Sequence, residues 1–118
     1  MYPMIVLYGI PTCDTCRKAR KSLESNGLDV SFRDVRIEPL SHNEIARFFD
    51  AFGARLLNTR STTWRTLGDN ERSGDPINLL IAHPALMKRP VIEAGKTLTL
   101  GWDAAAQAAH LGDASTQA

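Results

Sequence analysis

Met4-Ile5-Val6-Leu7-Tyr8 is a short, unbroken apolar run, the pattern of a strand buried on both faces. Gly9-Ile10-Pro11-Thr12 reads as a turn, and a helix is predicted from about Cys13 to Asn26. Within it Cys16, Ala19 and Leu23 recur at helical spacing, Arg17, Lys18, Arg20 and Lys21 mark an outer face, and Gly27 stops it. Leu28 to Val35, with Val30 and Phe32, reads as a second strand.

Ser41 followed by Glu44 forms a capping box, in which each side chain satisfies a free N–H at a helix start. Ile45, Phe48, Phe49 and Phe52 then share one helical face, and Gly53 ends the helix. Asn58 to Leu67 reads as a turn and a short helix with Trp64 and Leu67 inward. Asp75-Pro76 supplies an N-cap and a first-turn proline for a helix through Leu79, Leu80 and Ala82, closed by His83-Pro84. After Arg89-Pro90 comes a hairpin, with Val91-Ile92, a turn at Ala94-Gly95-Lys96, and Leu98 to Leu100. Asp103 to His110 is a closing alanine-rich helix. The order β-α-β, several helices, β-β-α is that of an α/β thioredoxin-like core with an enlarged middle. Residues 1–111 are expected to form this single domain, about 36–88 being a helical insertion between the second and third strands. Residues 112–118, small and polar, are expected to be a flexible tail.

A length of 118 residues suits one core, and a formal charge of +1 gives no electrostatic footprint for direct nucleic-acid binding. The first apolar stretch is broken at Gly9 and Pro11 and has no basic leader, so neither a membrane span nor a signal peptide is expected, and the cytoplasm is the expected compartment. A monomer is expected. The two cysteines, Cys13 and Cys16, exclude a scaffold of several disulfides and point to redox or metal chemistry.

A strand, a tight turn and then C-x-x-C at a helix start places Cys13 where free backbone N–H groups and the positive helix end favour a thiolate. Arg17 and Lys18 are expected to add positive charge. Cys16, one turn on, can reach Cys13 and either resolve a mixed disulfide or hold Cys13 in an oxidised off state. A zinc site would need about four ligands, and His42, His83 and His110 have no finger spacing to the cysteines, so no metal is expected. Pro90, before the third strand, sits where thioredoxin-like folds carry a cis-proline facing the nucleophile. Arg60 and Arg89 are the candidates for holding an anion through paired N–H groups, although composition alone would leave either as a solvated surface charge.

Three stretches carry a family resemblance: Tyr8-Gly9-Ile10-Pro11-Thr12-Cys13-Asp14-Thr15-Cys16-Arg17-Lys18-Ala19, Leu56-Leu57-Asn58-Thr59-Arg60, and His83-Pro84-Ala85-Leu86-Met87-Lys88-Arg89-Pro90-Val91. Together they resemble the arsenate reductase (ArsC) family, its YffB-like members and the related Spx regulators, from about Ile5 to about Ala109. The resemblance implies a thioredoxin-like core with a helical insertion. It implies Cys13 as nucleophile, Arg89 as binder of an oxyanion or thiol substrate, Arg60 assisting, and Thr12 and Pro90 at the substrate edge. It also implies glutathione as co-substrate, glutathione or glutaredoxin as reducing partner, and no bound cofactor. Three positions depart from the arsenate enzymes. Gly9-Ile10 stand where those usually have histidine and asparagine, Gly101-Trp102 where a third arginine follows the hairpin, and Cys16 where they have serine. Fewer cations weaken the case for arsenate, and Cys16 points to a dithiol mechanism.

The expected activity is therefore a glutathione- or glutaredoxin-linked thiol oxidoreductase acting on a small thiol, a mixed disulfide or arsenate. The alternative is an Spx-like regulator whose C-x-x-C is a redox switch on an RNA polymerase subunit. A structural adaptor with inert thiols is a third reading, and it requires an ordinary cysteine pKa near 8.5.

Overall fold

The computed structural model of the chain describes residues 4–111. These divide into two compact units: one takes the chain up to Asp34 and again from Arg89, and the other is Val35–Lys88.

The first unit is a four-stranded sheet in the order β2-β1-β3-β4. Its strands are β1 (Ile5–Gly9), β2 (Val30–Asp34), β3 (Val91–Ala94) and β4 (Thr97–Leu100). β1 runs parallel to β2 and antiparallel to β3, and β4 is antiparallel to β3. The parallel pair needs a crossover, supplied by helix α1 (Asp14–Ser25). This is a thioredoxin-like fold. Alternation along the strands puts Ile5, Leu7, Val30, Phe32, Ile92 and Ala94 on one sheet face. Cys16, Ala19 and Leu23 of α1 close over that face, with Trp102 and Leu111 against the same core. The continuous apolar run in β1 thus reflects a central strand whose other face, at Tyr8, is buried as well.

α1 ends one residue before the expected Asn26. Gly27 takes a left-handed φ of 78°, and the Leu28 N–H turns back to the Leu23 carbonyl at 3.2 Å. Leu28 is therefore spent on the helix exit, which is why β2 begins at Val30 rather than Leu28. The hairpin strands each run slightly longer than the sequence pattern indicated, because the turn is only Gly95-Lys96. The last helix, α6 (Ala104–Leu111), starts after Asp103, whose carboxylate accepts from the Ala106 N–H at 2.9 Å. Thr99 Oγ1 and His110 Nε2, 2.7 Å apart, tie α6 to β4.

The second unit is helical. α2 (His42–Phe52) has the expected capping box: the Glu44 N–H donates to Ser41 Oγ at 3.1 Å and the Ser41 N–H to Glu44 Oε1 at 2.9 Å. Its buried stripe is narrower than four residues, with Ile45 and Phe48 buried and Phe49 and Phe52 half-buried. A 3-10 turn (Gly53–Leu56) leads to α3 (Thr62–Thr66), where Ser61 caps and Leu67 is buried. α4 (Asp69–Arg72) carries too little apolar pattern to be visible in sequence. It is held by polar groups, with the Gly68 N–H donating to Glu71 and the Arg72 guanidinium donating to the Trp64 and Arg65 carbonyls at the end of α3. α5 (Pro76–Ala82) is capped by Asp75 and packs on α2. After a second 3-10 turn (Pro84–Leu86), residues 86–88 pair with residues 56–58. The bonds are Asn58 N–H to Leu86 O at 2.9 Å and Lys88 N–H to Leu56 O at 2.7 Å, flanking a Leu57–Met87 bridge. The tail expected over residues 112–118 lies outside the described residues.

Candidate active site

Strand register builds the site. Tyr8 pairs with Val91 in the antiparallel β1–β3 ladder, so the chain leaving β1 and the chain entering β3 meet at the same sheet end. The first carries the cysteine turn and the second carries Arg89-Pro90. The turn is closed by the Cys13 N–H donating to the Ile10 carbonyl at 3.0 Å, and the Arg89–Pro90 peptide is cis. Pro90 is buried, with its carbonyl accepting from the Gly101 N–H at 2.8 Å.

Cys13 is the N-cap of α1, one position before the helix proper, with extended backbone angles. Its thiol is partly exposed, whereas Cys16 is fully buried, and the two are free thiols. Burial raises the Cys13 pKa, and this is the largest single influence on it. It is outweighed by the Cys16 backbone N–H and thiol and by the hydrogen bond and charge of Arg89, so the thiol lies below its ordinary value. The N–H of Cys16 acts here by facing the sulfur, without completing a side-chain cap hydrogen bond. Cys16 behaves in the opposite way. Burial above all, with the Cys13 sulfur and its charge, pushes its pKa up to about 12, against the opposing pull of the Ile10 N–H and, least, of Arg89.

The two thiols are therefore polarised: a thiolate-forming sulfur at the surface and a protonated, donating sulfur beneath it. The cation that acts on Cys13 is Arg89, not Arg17 or Lys18 as the sequence suggested. Arg17 pairs with Asp14, both exposed to solvent, and neither Arg17 nor Lys18 contributes to the Cys13 shift. Thr12 is exposed in the turn ahead of Cys13. Arg60 belongs to the helical unit, where it lines an open cleft with Arg55, Asn58 and Lys88. Sequence reasoning missed Gly9 and the Ile10 N–H, which surround the Cys16 sulfur. A glycine in the last position of an apolar strand was the available signal. Among the described residues no three His, Cys, Asp or Glu side chains gather to hold a metal, and no helix is long and apolar enough to cross a membrane.

Arg89→Met is expected to raise the Cys13 pKa, because the positive charge favours the thiolate. Each unit of upward shift slows alkylation about tenfold at pH values below the original midpoint. The rate of iodoacetamide labelling against pH measures this, and an unchanged midpoint would remove Arg89 from the site.

A thioredoxin-like fold with a polarised cysteine pair at the first helix entry, facing an arginine before a cis-proline, defines the class of this chain as a C-x-x-C member of that fold. Within that class, the chain belongs to the ArsC family, whose profile matches residues 8–109. The global transcriptional regulator Spx of Bacillus subtilis (strain 168) is 35% identical over 106 residues, covering 85% of this chain and 81% of Spx. The solved structure of a YFFB protein is 32% identical with a TM-score of 0.82, covering 92% of this chain and 99% of that one. The solution structure of an arsenate reductase (ArsC) related protein from Brucella melitensis is 36% identical with a TM-score of 0.70, covering 92% and 94%.

Proposed function

We propose that the protein is a glutathione- or glutaredoxin-linked thiol oxidoreductase, and the opposed pKa shifts of Cys13 and Cys16 carry this reading. The Cys13 thiolate attacks one sulfur of a glutathione mixed disulfide, forming a new S–S bond and releasing the other sulfur as a thiolate. Once Cys13 is disulfide-bonded, its negative charge no longer holds the Cys16 proton in place. Cys16 then loses that proton, attacks Cys13 and releases the second thiol. Two molecules of glutathione, or reduced glutaredoxin, return the resulting Cys13–Cys16 disulfide to the dithiol. Arg89 holds the substrate's anionic part, and Thr12 and Pro90 contribute to binding its backbone. A small thiol adduct or arsenate is the other substrate class such a thiolate would attack. The protein acts as a monomer with no bound cofactor, in the cytoplasm, where glutathione keeps thiols reduced.

The test is NADPH consumption coupled through glutathione and glutathione reductase, with and without glutaredoxin, with a glutathione mixed disulfide and arsenate run in parallel. Turnover of the mixed disulfide is expected. Turnover of arsenate alone would reassign the substrate to the oxyanion. No turnover of either would favour the second reading, a redox-switch regulator, which the 35% identity to Spx supports. That reading requires capture of an RNA polymerase subunit that differs between oxidised and reduced protein.

A further inference from the structure

Gly9 closes β1 directly beneath the cysteine pair. A Cβ added there would lie 2.5 Å from the Cys16 sulfur and 3.3 Å from its Cβ, with a Leu7 methyl at 3.2 Å. Real Cβ atoms do not approach a sulfur so closely, so a side chain at Gly9 forces the Cys16 sulfur to shift within a packed core. Cys16 is fully buried, faces the core with Ala19 and Leu23, and shares its cluster with Leu7 and Ile92. Gly9 has no positive φ that would account for a glycine at this position, so its missing side chain answers to space and not to backbone conformation.

We propose that Gly9 is the positioning residue that seats the Cys16 sulfur under Cys13 and confines it to the role of internal resolving thiol. The proposal rests on the dithiol reading of the site. A methyl at Gly9 drives the Cys16 sulfur off β1, away from the Ile10 N–H, and disturbs the thiol hydrogen bond that Cys16 makes to Cys13. Two measurable properties follow. Cys13 loses a donor to its thiolate, and the two sulfurs lose the approach needed to exchange one bond for another.

The experiment compares the wild type, Gly9→Ala, Cys16→Ala and the double variant. Cys13 alkylation is followed against pH in all four, and the Cys13–Cys16 disulfide is titrated against a glutathione redox buffer in the two that keep both cysteines. Gly9→Ala is expected to lower the disulfide's equilibrium constant about tenfold or more and to raise the Cys13 midpoint, one unit of which is about a tenfold loss of thiolate. In the Cys16→Ala background the 2.5 Å approach to the sulfur is gone and, at residue 16, only the milder 3.3 Å approach to Cβ remains, so Gly9→Ala should leave the alkylation profile of Cys13 unmoved. Unchanged Cys13 and disulfide behaviour in Gly9→Ala would overturn the proposal. So would equal effects, including equal loss of folding, in the two backgrounds, which would assign the strain to Leu7. An undepressed Cys13 midpoint in the wild type itself would instead remove the dithiol reading on which the proposal stands.

Discussion

Cys13→Ser is expected to abolish turnover of a glutathione mixed disulfide, by about a thousandfold or more, as loss of a nucleophile does elsewhere. A serine hydroxyl in the same place is not ionised at neutral pH and is a poor nucleophile toward sulfur, so the favourable surroundings of Cys13 have nothing to act on. Those surroundings also set the pH dependence. The Cys13 pKa is depressed, so the reactive thiolate persists as pH falls below the ordinary thiol range and is lost only through the lowered midpoint. Cys16→Ser separates the two sulfurs. The serine hydroxyl still donates to the Cys13 thiolate, so Cys13 keeps reacting, but the covalent adduct has no internal thiol to release it. The protein should then be recovered bearing one glutathione on Cys13, visible as a mass increase, and glutathione or glutaredoxin alone should clear it. Full turnover by Cys13→Ser would remove Cys13 from the chemistry. Loss of Cys13 labelling in Cys16→Ser would mean that Cys16 is the attacking sulfur.

The same polarity explains what could be read from the chain and what could not. The thioredoxin-like order was legible because β1 is a continuous apolar run, α1 repeats Cys16, Ala19 and Leu23 at helical spacing, and Gly27 and Gly95 mark the exits. Helix α4 was not, since its four residues bury nothing and stand on Glu71 and Arg72 hydrogen bonds that have no periodic signature. The cation serving Cys13 was legible as a residue but not by position. Arg17 and Lys18 are close in sequence, yet on a helix they project outward, and Arg17 is spent on Asp14. Arg89 is distant in sequence and is delivered by the antiparallel register of Tyr8 with Val91. Charge proximity in a site is a property of the sheet's register, and register is fixed by pairings that a single strand pattern does not contain. Gly9 was hidden for a related reason: its function is a distance to a sulfur on another element.

Phe48→Ala is expected to destabilise the protein by about 3–5 kcal/mol, the usual cost of removing a buried phenyl ring. Phe48 is fully buried on α2, the helix that packs on α5, and it is among the largest side chains hidden from solvent. The Arg47 guanidinium lies 5.1 Å from its ring centroid, so truncation removes a cation–π partner as well as apolar contact. Domains of this size are held by about 5–15 kcal/mol in total, so the variant spends a large part of the margin. Its melting temperature should fall by about 12 °C or more. Phe49, the next residue but half-buried, supplies the contrast. Phe49→Ala leaves a site that water already reaches, and its cost should be less than half that of Phe48→Ala in the same denaturant titration. The ordering matters more than either value, because the apolar stripe in sequence treats the two phenylalanines alike. Equal losses would mean that α2 buries a four-residue face, as its hydrophobic spacing implies, and not the narrower Ile45–Phe48 stripe. A Phe48→Leu variant, which keeps much of the volume, should recover most of the lost stability if packing at this one position is the cause.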